Sequence, residues 1–144
     1  MVVVVRLKIK TADEKEITVP AIANTGFESD KPEIIIPREV ARNLGLSPKK
    51  LSAEATIEEY RGAGGKKFKA YTLKSTAKAW VVTGDREVGP VDVVLTVVYG
   101  ERDVLLSDMA IDALNIVLLK PGAGIWKFTD EPPEKTRESI KQAS

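Results

Sequence analysis

The stretch Ala21-Ile22-Ala23-Asn24-Thr25-Gly26-Phe27, followed by Ile34-Ile35-Ile36-Pro37 and Leu44-Gly45-Leu46, decides how this chain folds. Small and apolar residues run into Asn24-Thr25-Gly26, where Asn and Gly both favour a tight turn through side-chain bonding and positive φ. An apolar strand follows, then a proline where a helix can open and a glycine where it can close. By itself the tripeptide fits an ordinary turn. Framed this way, it joins two strands just ahead of a helix.

Upstream, residues 2–9 are first apolar and then alternating, with Leu7 and Ile9 on one face and Arg6, Lys8 and Lys10 on the other, the pattern of a half-buried strand. A polar turn at residues 11–15 leads into a second strand at residues 16–23, so the two form a hairpin. Pro20 has no N–H and predicts an unpaired edge or a bulge at that point. Downstream, residues 28–32 form a loop and residues 33–36 a short buried strand. A helix opens at Pro37, carries Val40, Ala41 and Leu44 on its apolar face and closes at Gly45. Ser47-Pro48 begins a further turn.

Residues 55–60 and 67–73 both alternate and are joined by Arg61-Gly62-Ala63-Gly64-Gly65-Lys66, which predicts a hairpin with a glycine-rich tip. Residues 77–82 and 91–99 give two more strands, separated by the turn-rich stretch 83–90. Residues 104–106 lead into a second helix, capped by Ser107 or Asp108, lined by Ala110, Ile111, Ala113 and Leu114 and ended by Asn115. Residues 116–119 and 125–128 make a final hairpin. Many short strands with two short helices predict a mainly β fold.

At 144 residues the chain suits one domain. The domain is expected over residues 1–128, followed by a polar tail at 129–144 whose Pro-, Glu-, Lys- and Ser-rich composition predicts fraying. The 22 basic and 21 acidic residues leave a net charge of +1, too little for a global field that would gather nucleic acid or an anionic membrane. With neither Cys nor His in the chain, histidine-based nucleophilic triads, disulfides and ordinary zinc sites are all excluded. No metal and no cofactor is expected. The apolar opening Met1-Val2-Val3-Val4-Val5 is broken by Arg6, Lys8 and Lys10 before a signal-peptide core or membrane span is complete, which predicts a soluble, cytoplasmic protein. Lys and Glu are abundant while Asn and Gln are scarce, a thermophile-like balance.

The order of these motifs resembles the retropepsin-like, single-lobe aspartic peptidases of retroviral type. In that family Asp-Thr-Gly ends a strand, a glycine-tipped flap hairpin follows, and a late apolar pair before Gly leads into a short helix. Here the sequence has Asn24-Thr25-Gly26, then Gly62-Ala63-Gly64-Gly65, then Leu105-Leu106-Ser107, over roughly residues 2–128. The resemblance implies a closed β-barrel of the acid-protease type, a homodimer joined through its terminal strands, and an extended peptide or unfolded protein segment held under the flap. It implies hydrogen bonds across the dimer for Thr25 and close backbone approach at Gly26.

The sequence departs from the family at two positions. Ser107 stands where Gly is usual, bringing a Cβ into a crowded place. Asn24 stands at the catalytic Asp. Two carboxylates sharing a proton activate water in such enzymes, and an amide cannot serve as the base. A dimer would pair Asn24 with Asn24, so the resemblance implies an endopeptidase fold that is inactive as written and active with Asp at position 24. A native pseudo-peptidase and a deliberately inactivated peptidase both read this way. Glu28 and Asp30, just past the turn, are the nearest substitute carboxylates.

Two other classes stay open: a non-enzymatic module binding peptide by strand addition, and a nucleic-acid-associated barrel. The second rests on Lys66, Lys67, Lys69, Lys74 and Lys78 interleaved with Phe68, Tyr71 and Trp80. Against it stand Glu54, Glu58 and Glu59 on the neighbouring strand. The run from Gly62 to Lys67 lacks the spacing and the strand-to-helix setting of a phosphate-binding loop.

Overall fold

Alternating apolar residues on successive short strands are buried when a sheet packs on another layer or curls round on itself, and here the sheet curls and closes. The computed structural model describes residues 2–23, 26–61, 65 and 67–141, with the backbone alone at residues 60 and 61. Among these residues lie strands β1 (Val3–Lys10), β2 (Glu16–Ala23), β3 (Glu33–Pro37), β4 (Ala55–Arg61), β5 (Lys67–Leu73), β6 (Ala77–Val82), β7 (Glu87–Val98), β8 (Val104–Leu106), β9 (Ile116–Lys120), β10 (Ile125–Phe128) and β11 (Arg137–Glu138). The helices are α1 (Arg38–Asn43), α2 (Pro48–Glu54) and α3 (Asp108–Ala113).

Six strands in the order β3-β8-β2-β1-β6-β7 form a barrel that the parallel β3–β7 pairing closes. The β2–β8 pair is also parallel, with Ala23 beside Leu106; the remaining neighbours run antiparallel. The hairpin β4–β5 stands off the barrel, attached by β5 along the end of β7. Strands β9, β10 and β11 make a second, antiparallel sheet.

The sequence period accounts for the core. Val3, Val5, Leu7 and Ile9 on β1, Ile34 and Ile36 on β3, and Leu95 and Val97 on β7 are all almost wholly buried. Each such side chain contributes about 1.5–3 kcal/mol on leaving water. Leu44, Leu106, Leu114 and Phe128 join the same cluster. Strand β2 pairs with β1 along its whole length but meets β8 only from Ala21 onward, so Pro20 sits where its other edge is open.

Helix α1 ends as its sequence predicts. Leu46 N–H bonds to Ala41 C=O at 2.9 Å and Gly45 N–H to Arg42 C=O at 3.0 Å, with Gly45 at φ +76°. That is a Schellman closure, and it needs the left-handed backbone that glycine adopts freely.

Three expectations are corrected. The Ser47-Pro48 turn opens a third helix: Ser47 Oγ accepts from Lys50 N–H at 3.2 Å, Pro48 occupies the first helical position, and Leu51 is buried beneath. Strand β7 begins at Glu87, inside the stretch read as turn, because its register against β6 shifts between Ala79 and Val81 and absorbs Gly89-Pro90 as a bulge. Gly89 lies at φ +142°, where an added Cβ would come within 2.5 Å of the Ala79 carbonyl oxygen.

The third correction concerns the tail, which is tied to the rest of the chain by hydrogen bonds and ion pairs as far as Ile140 rather than frayed from residue 129. Arg137 bonds both oxygens of Asp85 at 2.8 Å, Lys135 reaches Asp85 at 3.1 Å, and Arg86 holds Asp130. Glu131 is buried and accepts from Arg137 and from Phe128 N–H. Beyond β11, Ser139 Oγ accepts from Val4 N–H at 2.7 Å and Ile140 N–H donates to Val4 C=O at 3.0 Å. Composition gives the charge of such a segment but not its pairing, and here paired charges and strand bonds replace an apolar core.

Candidate functional site

Strand β2 delivers the chain to Ala23, which is buried and lies beside Val3 on β1 and Leu106 on β8. The proposed catalytic position Asn24 and its neighbour Thr25 lie outside the described residues, as do Gly62, Ala63 and Gly64 of the hairpin tip. Gly26 is an exposed turn residue. Gly65, at φ +78°, has open space around it, as a hairpin tip requires.

The segment that leaves the turn is tied firmly to α3. Phe27 C=O accepts from Asp108 N–H at 2.9 Å, and Asp108 Oδ1 accepts from Ser29 N–H at 3.1 Å. Ser107 is the residue that caps α3: its Oγ accepts from Ala110 N–H at 3.1 Å and also from Glu33 N–H at 2.9 Å. Its own N–H donates to Glu33 C=O at 3.0 Å. The Cβ at this position is therefore accommodated, and the hydroxyl it carries satisfies two donors in a site with no solvent access.

Between this loop and the hairpin base runs an open groove of about 480 Å³, walled by Ser29, Asp30, Lys31 and Glu33 on one side and by Thr56, Glu58, Thr72 and Lys74 on the other. The structure thus brings together the loop after the turn and the base of β4–β5. Glu28 and Asp30 are both exposed. The groove also contains polar residues that sequence reading passed over. Glu33 accepts from Ser29 Oγ at 2.8 Å and from Thr96 Oγ1 at 2.6 Å, and Thr96 Oγ1 is 3.2 Å from Thr72 Oγ1.

The carboxylates with displaced pKa values lie instead in the tail and in the β6–β7 turn that it pairs with. The Arg137 guanidinium, aided by Phe128 N–H and Lys135, holds Glu131 down to about 2. Arg137, with Thr83 and Lys135, holds Asp85 well below the usual range. Among the described residues no group of His, Cys, Asp or Glu has the arrangement of a metal site.

The rings of the lysine-rich region are engaged within the protein. Phe68 lies against Gly100, Tyr71 meets Tyr99 at a tilt with centroids 5.2 Å apart, and Trp80 carries Lys8 Nζ 4.5 Å from its ring centre. Lys69 faces Glu59 across the hairpin and Lys78 pairs with Asp92. The terminal strands are likewise occupied: Val3, Val4 and Val5, and Trp126 and Phe128, are buried within the one chain. No helix among the described residues is long and apolar enough to cross a membrane.

No protein-family model and no curated protein matches this sequence. Among solved structures, the retroviral protease-like domain of Ddi1 from Leishmania major is similar in fold, with a TM-score of 0.55 over 99% of this chain and 98% of that one, at 8% identity. A mainly β chain with a closed six-stranded barrel and three short helices is retropepsin-like in fold.

Proposed function

We propose that this protein binds an extended peptide without cutting it, in a cleft between the β4–β5 hairpin and the loop that follows residues 24–26. The observation that carries this reading is the groove itself: in a retropepsin-like fold, one wall is the loop after the turn and the other is the hairpin base. Among the described residues its hairpin strand β4 is paired only with β5, so an extended segment has backbone partners on its other edge. Asn24 offers hydrogen bonds to a peptide but no base for water.

The same fold with Asp at position 24 would be an aspartic endopeptidase using water as the nucleophile, with two copies each contributing one carboxylate. As written, two copies contribute two amides. The terminal strands are already paired within the chain, so a homodimer would have to form beside those pairs or open them.

The test compares the chain with its Asn24→Asp variant, from about pH 3 to 7, on reduced, carboxymethylated lactalbumin as an unfolded polypeptide. The expected result is binding without turnover in the parent and turnover in Asn24→Asp. If neither folded protein binds or cleaves the polypeptide, the cleft reading fails and a structural role for the barrel is left.

A further inference from the structure

Glu33 opens β3 at the point where the parts of the groove meet. Its Oε1 accepts from Ser29, on the loop after the turn, and its Oε2 accepts from Thr96 on β7. Thr96 in turn lies beside Thr72, its register partner on β5 and part of the hairpin base. The main chain of Glu33 is fixed as well, through the two bonds it exchanges with Ser107.

The direction of this chain of bonds follows from chemistry. An ionised carboxylate only accepts, so Ser29 and Thr96 must both donate to it. The Thr96 hydroxyl then has its lone pairs left for Thr72, which becomes the donor. Thr96 has no solvent access, so no water replaces a lost partner there and the chain must close within the protein. Leu95 and Val97 on either side point into the barrel core. By strand alternation Thr96 lies on the opposite face, towards the hairpin.

We propose that Glu33 is a positioning residue for the peptide cleft: through Ser29 and through Thr96 and Thr72 it holds the loop and the hairpin base at one spacing. The link between the two walls is independent of any ligand. Its effect on peptide affinity rests on the reading given under Proposed function.

The two substitutions that test it differ in what they keep. Glu33→Ala removes the acceptor for both hydroxyls. Glu33→Gln keeps one acceptor and supplies one donor, and the hydroxyls of Thr96 and Thr72 can rotate to match, so the chain of bonds survives without the charge. Amide hydrogen exchange and affinity for the carboxymethylated lactalbumin are measured on the full chain in each form.

In Glu33→Ala, exchange is expected to rise together in residues 27–33 and 70–73, with β1 and β2 unchanged, and affinity to fall by about tenfold, the scale of one or two lost hydrogen bonds. Glu33→Gln is expected to resemble the parent in both. Three results overturn the proposal: exchange that rises in the loop alone, exchange that rises equally throughout β1 and β2, or a Glu33→Gln variant as impaired as Glu33→Ala. Thr72→Val breaks the same chain at its hairpin end and decides the matter if Glu33→Ala does not fold; unchanged exchange at residues 70–73 in that variant also overturns it. Linked exchange with no binding in any form would sustain the coupling while removing the peptide reading.

Discussion

Arg137 grips Glu131 through two parallel bonds, Nε to Oε1 at 2.9 Å and Nη2 to Oε2 at 2.5 Å. The Glu131 side chain is only 4% exposed, and its Oε1 also takes Phe128 N–H at 2.9 Å. The guanidinium lies over the Phe128 ring, 5.0 Å from its centre. Removing one partner of a buried pair leaves the other charge poorly compensated, which costs more than the pair contributes. Arg137→Ala is therefore expected to lower stability by about 2–4 kcal/mol, read from urea unfolding. Arg137→Lys should recover only part of this, because an ammonium cannot make the planar fork.

The same lock sets an acid limit. Arg137 first, and then Phe128 N–H and Lys135, hold the Glu131 pKa at about 2, below its ordinary 4.5. A carboxyl whose pKa is depressed by folding contributes stability that is complete above the unfolded value and is lost as pH falls through the folded one. The contribution should thus be full above pH 4.5 and should disappear progressively towards pH 2. Asp85, lowered chiefly by Arg137, acts in the same direction. Glu131→Gln should be less stable than the parent at pH 7 and should lose less on acidification, as measured by urea unfolding at a series of pH values.

The strands were legible because burial on one face imposes a period of two along much of their length, and the closed barrel came from the order of the motifs that the sequence shares with the retropepsin-like family. Leu7 and Ile9, Ile34 and Ile36, and the apolar triplet 104–106 all announce themselves. Helix α2 was not, since Leu51 is its single buried residue and no apolar face repeats. Its start was written in Ser47-Pro48, a pair that serves a turn equally well. The Glu33, Thr96 and Thr72 chain was invisible for a different reason: three strands far apart in sequence bring it together, and no local pattern marks a Glu that will meet hydroxyls rather than water. The tail misled by composition, because Glu131, Arg137 and Asp85 read as solvated charges until their pairing is seen.

Gly89 tests the bulge that lets β7 begin early. Its φ of +142° disfavours any side chain, and an added Cβ would lie 2.5 Å from the Ala79 carbonyl oxygen and 3.0 Å from the Trp80 ring. The carbonyl belongs to a paired strand and cannot withdraw cheaply. Gly89→Ala is expected to cost about 2–4 kcal/mol through strain and contact together. Gly84, in the adjacent turn, has open space around it. Gly84→Ala should change stability by no more than about 0.5 kcal/mol, so the contrast in thermal midpoint between the two separates local geometry from loss of glycine as such.

Ser107 joins the fold to the candidate site, and its hydroxyl is the part that matters. It accepts from Ala110 N–H at the start of α3 and from Glu33 N–H at the start of β3, and Ser107 itself has no solvent access. Ser107→Ala leaves both donors without this acceptor, at an expected cost of about 2–4 kcal/mol, combining a lost helix cap with a lost strand bond. Ser107→Gly removes the same oxygen and should cost as much or more, even though glycine is usual at this position in the family the sequence resembles. Ser107→Thr keeps the oxygen and adds a methyl group to a filled site, so its penalty should come from packing alone, about 1–3 kcal/mol. Urea unfolding gives the totals. Exchange at the Glu33 amide separates the causes: it should quicken in the Ala and Gly variants beyond what their lower global stability explains, and should not in Thr.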